Sequence, residues 1–372
     1  MFHGSVVKAI ASAMRTWPKI VERLQPFMPP AGDMAEYHLF SDTIRDAFTA
    51  TVERITEVAP SILELSIRAP LAARKHRPGH FYRLQGFEAQ APVYSGAKVQ
   101  MEPLALTASG VDKASGTLRF IVFESGASTL LCRLLKPGMP VSLMGPTGVR
   151  AKVADTHETV LIAGNARALA LLQSYAPALR EAGNRVVFLG DFATAGELFC
   201  QDTIENMTDL VIWVTREGAP IAARRPQDLS LSAQVIDALV TWGQMKAPSV
   251  CLTDVDRIYL IGHSCFLKTF QQERSLRLKP FLGKNPGIHA SVYSTMQCML
   301  KGVCAQCLQW QIDPETGQRT KAVFACSWPE QPLELIDFSN LDDRLQQNRL
   351  PEKMNALWVE QLMTSETEPL HE

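Results

Sequence analysis

The chain of 372 residues carries 37 Lys and Arg against 38 Asp and Glu, a net charge of -1, which leaves no electrostatic case for nucleic acid. Hydrophobic residues make up 46% and charged residues 20%, the make-up of ordinary globular domains with real cores, and the length suits about two or three of them. No run of about 18 apolar residues occurs, so no transmembrane segment is expected, and the expected location is cytoplasmic.

Residues 1–46 read as an N-terminal amphipathic helix and a linker. Val6, Ile10, Met14, Trp17, Val21 and Leu24 alternate with Lys8, Arg15, Lys19 and Arg23 at helical spacing. Lys8 breaks the apolar stretch, which is too short for a secretory signal. Pro18 is expected to kink the helix or to start a second segment. Such a helix suits docking on a partner or a membrane surface, and equally packing on its own protein. Pro26, Pro29, Pro30 and Gly32 then form a breaker cluster.

Residues 47–152 read as an antiparallel β-barrel. Thr51 to Val58 and Ser61 to Arg68 alternate apolar and polar residues. His80 to Leu84, Leu104 to Thr107, Thr117 to Phe123 and Val141 to Met144 complete six strands, with turns at Gly79, Gly116 and Gly138. One helix, Ala127 to Leu135, interrupts them. Its opening, Glu124 to Thr129, offers free backbone N–H groups that suit a pyrophosphate. Gly126 would let phosphate approach, and Ser128 and Thr129 add hydroxyls, although both are also ordinary N-cap residues.

Residues 153–288 alternate strands and helices. Thr159 to Ala163, Arg185 to Gly190, Leu210 to Val214 and Arg257 to Gly262 are apolar strands. Arg167 to Ala182 and Ser232 to Met245 are helices between them. This is a doubly wound parallel sheet of the α/β class, in which ligands sit at the C-terminal ends of the strands. Cys132, Cys200, Cys251 and Cys265 stand among apolar neighbours and read as buried structural thiols.

Residues 289–332 hold four further cysteines, Cys298, Cys304, Cys307 and Cys326, spaced C-x5-C-x2-C-x18-C. The plant-type [2Fe–2S] spacing has one residue fewer in its first gap. Zinc is the alternative metal, but structural zinc favours two short knuckles and only Cys304 and Cys307 form one. A disulfide framework does not suit a chain of this length without a secretory signal. Asp313 to Gly317 should turn the intervening segment into a hairpin, returning Cys326 to the others. Trp310 and Trp328 are candidates to shield the centre, or plain packing residues. Residues 333–372 form a helical tail that ends in a polar, frayed stretch.

The order barrel, α/β domain, cysteine module resembles the ferredoxin–NADP reductase superfamily, and within it the electron-transfer subunit of dihydroorotate dehydrogenase. It resembles still more the C-terminal module of large bacterial fusion proteins that carry a glutamate-synthase-small-subunit-like flavoprotein. The resemblance rests on Arg77 to Gln85, Phe123 to Gly138, Met144 to Gly148, Arg225 to Asp228 and Met296 to Gln309. It implies an FAD-type barrel, an NAD(P)-type α/β domain and a [2Fe–2S] cluster on the four cysteines. FAD would then be held by Gly126, Ser128, Thr129 and Thr107, with Tyr82 or Tyr94 as stacking candidates. NAD(P) would fall on Gly164 and Arg167. Cys265 is similar to a cysteine found near the nicotinamide in some reductases.

Two stretches depart from the family pattern. At Met101 to Thr107 no Arg and no aromatic stands where the family carries both, and Glu102 would repel phosphate. After the strand at Thr159 to Ala163, one glycine remains in Gly164-Asn165-Ala166-Arg167-Ala168, where bare backbone normally meets phosphate. The implied function is an oxidoreductase component that passes electrons between a flavin or pyridine nucleotide and a [2Fe–2S] cluster, and on to a partner, foremost a glutamate-synthase-small-subunit-like flavoprotein. The alternative is an iron–sulfur adaptor that has lost its nucleotides. No general acid, base or nucleophile stands out.

Overall fold

The computed structural model describes residues 6–27, 34–148, 153, 157–246, 248–283, 285–292 and 303–365, with the side chains of 6–9 and 292 left aside. The chain forms two compact units, residues 1–47 and 48–372.

In the first unit, α1 (Val6–Leu24) continues through Pro18 without a break and is followed by a short 3-10 turn at Gln25–Phe27. A second helix, α2 (Met34–Phe48), lies where the sequence suggested only a linker. Its signal is present in retrospect, because Tyr37, Phe40, Ile44 and Phe48 recur at helical spacing. These four side chains, and Ile10, Met14, Trp17 and Leu24 of α1, are exposed. No described helix is long and apolar enough to cross a membrane.

The second unit opens with β1 (Ala50–Ala59), β2 (Ile62–Arg68), α3 (Pro70–Lys75), β3 (Phe81–Gly86), and the short β4 (Val93–Tyr94) and β5 (Ala97–Lys98). Then come β6 (Leu104–Asp112), β7 (Thr117–Phe123), α4 (Ala127–Leu130), which tightens into a 3-10 turn over Leu131–Leu134, and β8 (Pro140–Thr147). The six predicted strands close an antiparallel barrel in the order β1-β2-β7-β6-β3-β8. Alternation turns Leu65, Ile67, Tyr82, Leu84, Leu118 and Phe120 inward, where all are fully buried.

The α/β half comprises β9 (Thr159–Asn165), α5 (Ala168–Glu181), β10 (Arg185–Phe192), α6 (Gln201–Met207), β11 (Leu210–Thr215), β12 (Leu229–Ser232) and α7 (Val235–Gln244). It continues with β13 (Arg257–Gly262), α8 (Ser264–Glu273) and β14 (Gly287–Val292). The sheet runs β12-β11-β10-β9-β13-β14-β17, parallel except for β17 (Gln331–Pro332). The chain reverses its winding between β9 and β13, which makes their C-terminal ends the topological switch point. Ile62 and Ile121 of the barrel share one apolar cluster with Leu169 and Leu172 of α5, so barrel and sheet pack as one body.

A hairpin of β15 (Leu308–Ile312) and β16 (Arg319–Phe324) stands between β14 and β17, and the chain ends in α9 (Phe338–Gln346) and α10 (Arg349–Ser365). The hairpin turn falls at Asp313, whose N–H donates to Gln318 O at 2.8 Å, with Gly317 left-handed at φ +69. That is the turn the sequence indicated.

Candidate functional site

The hairpin explains how distant cysteines meet. Leu308 pairs with Phe324, so Cys307 and Cys326 stand at its open end, and the Ala325 N–H donates to Cys307 O at 2.9 Å. Both cysteines are buried, and Phe81 of β3 and Ala325 close over them. Between Cys304 and Cys307 the backbone turns through Ala305, left-handed at φ +54, which folds the short x2 gap into a tight loop. Arg344 of α9 donates to Ala305 O at 2.9 Å and so fixes that loop. Burial pushes the Cys307 thiol up to about 11, with Cys326 and Cys304 close enough to contribute. A metal would have to deprotonate it on binding.

Cys298 lies outside the described residues, as does Gly302. Among the described residues no group of three or more His, Cys, Asp or Glu is arranged as a metal site. The donor chemistry nevertheless suits a thiolate-ligated centre. Cys307 and Cys326 are buried and Cys304 is partly so, they lie on a tight loop beside a hairpin neck, and no disulfide joins the described cysteines. Arg319 stacks on the Trp310 ring at 5.6 Å and Lys321 on the Trp328 ring at 5.2 Å.

The helix start at Gly126 has the predicted backbone, but the two N–H groups just ahead of it are engaged. The N–H groups of Ser125 and Gly126 both donate to Thr129 Oγ1, at 2.9 and 3.0 Å, and that hydroxyl donates to Gly126 O at 2.7 Å. Ser128 Oγ accepts the Glu102 N–H at 2.9 Å. Arg133, a nearby cation, is bidentate to Glu57 at 2.9 Å and also pairs with Glu124. Tyr82 and Tyr94 are buried in the barrel, and Tyr82 OH lies 3.0 Å from His76 Nδ1, so both tyrosines are packing residues. Thr107 pairs with Phe81 across β6 and β3, next to the cysteines rather than to Gly126. Of the residues expected to hold FAD, Gly126, Ser128 and Thr129 come together and Thr107 does not join them.

The third region is the switch point. A Cβ on Gly164 would come within 2.1 Å of Ile261 O, so this glycine permits β9 and β13 to pack rather than a phosphate to approach. Ala166 and Ala168 are buried behind it. Arg167 points out of the turn, lies 3.4 Å from His263 Nε2 and stacks on the Phe123 ring at 5.6 Å. Burial, then Arg167 and Arg216, hold His263 below the ordinary imidazole range. Arg216 in turn pairs with Asp191 at 3.4 Å, at the end of β10. Cys265 sits exposed on the first turn of α8, which corrects its reading as a buried thiol; Cys132 is buried and Cys200 and Cys251 are partly so.

Sequence reasoning missed Phe81, Arg344, Asp191 and the position of α10. Asp191 had a signal, an acid closing the second strand of a dinucleotide-type unit. The others depend on which elements pack together.

No family model matches the chain. An uncharacterized protein of Rickettsia prowazekii is 30% identical over 95% of this chain, which spans only 39% of that protein. A homolog of the dihydroorotate dehydrogenase B (NAD(+)) electron transfer subunit in Thermotoga maritima is 24% identical, with 80% of this chain and 91% of that one covered. Among solved structures, a chain of an NADH-dependent reduced ferredoxin–NADP oxidoreductase shares the fold with TM-score 0.64 and 22% identity, over 83% of this chain and 96% of that one. The chain shares the fold of that oxidoreductase chain, and its sequence is similar to electron-transfer subunits of the dihydroorotate dehydrogenase type.

Proposed function

We propose that this chain is the electron-transfer component of an oxidoreductase complex, linking a flavin or pyridine nucleotide to a partner protein through an iron–sulfur centre on Cys298, Cys304, Cys307 and Cys326. One observation carries the reading: Cys307 and Cys326 meet, buried, at the neck of a hairpin and against Phe81 of the barrel. When bound, a [2Fe–2S] centre supplies reversible one-electron transfer. The chain's own residues supply its surroundings. Phe81 and Ala325 exclude water, Arg344 holds the cysteine loop, and the packing of Phe81 on Cys307 and Cys326 joins the module to the barrel wall.

The partner in this reading is a separately encoded glutamate-synthase-small-subunit-like flavoprotein. The surface offered to it is the exposed apolar stripe Leu350, Met354, Leu357 and Trp358 on α10. The name of the Thermotoga relative, a subunit homolog, is in keeping with work inside a complex. Anaerobic reconstitution tests the centre. About two iron and two sulfide per chain are expected, with an electron paramagnetic resonance signal on reduction that Cys307→Ser and Cys326→Ser abolish. Stoichiometric zinc without iron would sink the reading.

A second reading, an iron–sulfur adaptor without nucleotide exchange, is favoured by the alanines filling the switch-point turn and by the engaged donors at Gly126. Titration of the iron–sulfur form with NADH and NADPH separates the two. Bleaching by a nucleotide supports electron transfer through this chain; reduction by dithionite alone supports the adaptor.

A further inference from the structure

The first unit carries an apolar face open to solvent along the whole described length of α1. Ile10, Met14, Trp17, Ile20, Val21 and Leu24 are each 40–68% exposed, and Phe27 just beyond the helix is 81% exposed. At about 100° per residue, those six helical side chains fall within one arc of about 120°. Arg15, Lys19 and Arg23 fall on the opposite side, alongside Ser12 and Thr16, whose hydroxyl donates back to Ser12 O at 2.6 Å.

Charge narrows what such a face can meet. Between Ile10 and Phe27 three cations stand against Glu22, in a chain whose net charge is -1. Attraction to an anionic surface is then a property of α1 and not of the chain as a whole. The neighbouring α2 also exposes apolar side chains, Tyr37, Phe40, Ile44 and Phe48. It carries Glu36, Asp42 and Asp46 against Arg45, so an anionic surface would repel it. Pairing of α1 with a second copy would use a narrower stripe, about two positions per heptad, and would leave Ile20 outside it.

We propose that α1 lies in the headgroup region of an anionic bilayer, apolar face inward, and holds the chain at a membrane surface. A helix with aliphatic and Trp side chains on one face and Lys and Arg on the other binds in the plane of the interface, by buried apolar area together with attraction to anionic lipids. Trp17, at the middle of the apolar face, is of the side-chain type that settles at the water–lipid boundary. Arg15, Lys19 and Arg23 stay on the water side, within reach of the lipid phosphates by their flexible stems. The helix rests on the bilayer and does not span it, since no described helix is long and apolar enough to cross. Neither the apolar face nor its cations depends on the cysteine centre.

The test sediments the full chain with vesicles of phosphatidylcholine alone and of phosphatidylcholine with about one third phosphatidylglycerol. Binding to the anionic vesicles should be at least about tenfold tighter than to the neutral ones and should weaken as salt is raised. Met14→Glu, within the apolar face, should weaken binding about tenfold or more, and so should Arg15→Glu combined with Lys19→Glu. These three side chains are exposed, so the circular dichroism of the second unit's fold should be unchanged in both variants. Phe40→Glu on α2 should leave binding within about twofold of the native chain. Equal binding to both kinds of vesicle would overturn the proposal, as would no binding to either, or binding that survives Met14→Glu. A native dimer that Met14→Glu dissolves, in a chain that ignores vesicles, would also overturn it and assign the face to a second copy.

Discussion

Phe81 packs against Cys307 at the seam between the barrel and the C-terminal hairpin, and it is only 7% exposed. The ring therefore serves the barrel and the cysteine module at once. Removing it in Phe81→Ala should cost about 3 kcal/mol of stability, the usual penalty for a large cavity. It should also speed iron loss to a chelator from the reconstituted protein. Thermal unfolding and chelator kinetics read the two effects. Unchanged iron retention would show that the ring does not shield the module.

Gly164 tests what the reduced glycine turn is for. Its Cβ position lies 2.1 Å from Ile261 O, a backbone atom of the neighbouring strand that cannot swing aside. Gly164→Ala should destabilise the α/β half by about 1–3 kcal/mol through overpacking. Urea unfolding measures this. A neutral result would return the glycine to a role in ligand approach.

The barrel and the doubly wound sheet were legible because their patterns are local. Alternation over residues such as Ser61 to Arg68 fixes a strand, and the apolar run at Thr159 to Ala163 fixes a buried one. The cysteine spacing was equally legible, since the hairpin turn at Asp313 to Gly317 has its own sequence signature. What stayed hidden was contact between segments far apart in sequence. Glu352 near Gly126, Arg344 on Ala305 and Phe81 beside Cys326 leave no periodicity to read. The hydroxyls of Ser128 and Thr129 fit a phosphate site and a self-capped helix equally well, and only the positions of Glu102 N–H and Gly126 N–H separate the two.

The switch point carries a prediction about nucleotide choice. Asp191, near the end of β10, pairs with Asn165 of β9 in register, and its carboxylate faces Arg216 at 3.4 Å. Burial raises its pKa, Arg216 opposes that rise and Glu197 adds to it. An acid at this place hydrogen-bonds a ribose 2′-OH and repels a 2′-phosphate. NADH should bind about tenfold or more tightly than NADPH, and Asp191→Ala should narrow that ratio. Isothermal titration with both nucleotides decides it, and a preference for NADPH in the native chain would refute it.

His76 sets the acid stability of the barrel. It is 5% exposed, and Nδ1 lies 3.0 Å from the Tyr82 hydroxyl. Burial, with His80 and Lys113 adding repulsion, lowers its pKa from 6.5 to about 4. The unfolded chain therefore binds a proton here before the folded chain does. The stability this residue contributes is intact above pH of about 6.5, declines as pH falls, and is exhausted once the folded imidazole itself titrates near pH 4. At most about 3 kcal/mol is at stake, from one imidazole shifted by this amount. Replacing the ring in His76→Gln, which keeps a hydrogen-bonding group beside Tyr82, should flatten the stability profile between those two pH values and leave it nearly unchanged at pH 8. Urea midpoints across the range read the difference, and parallel profiles for the two proteins would place the acid sensitivity elsewhere.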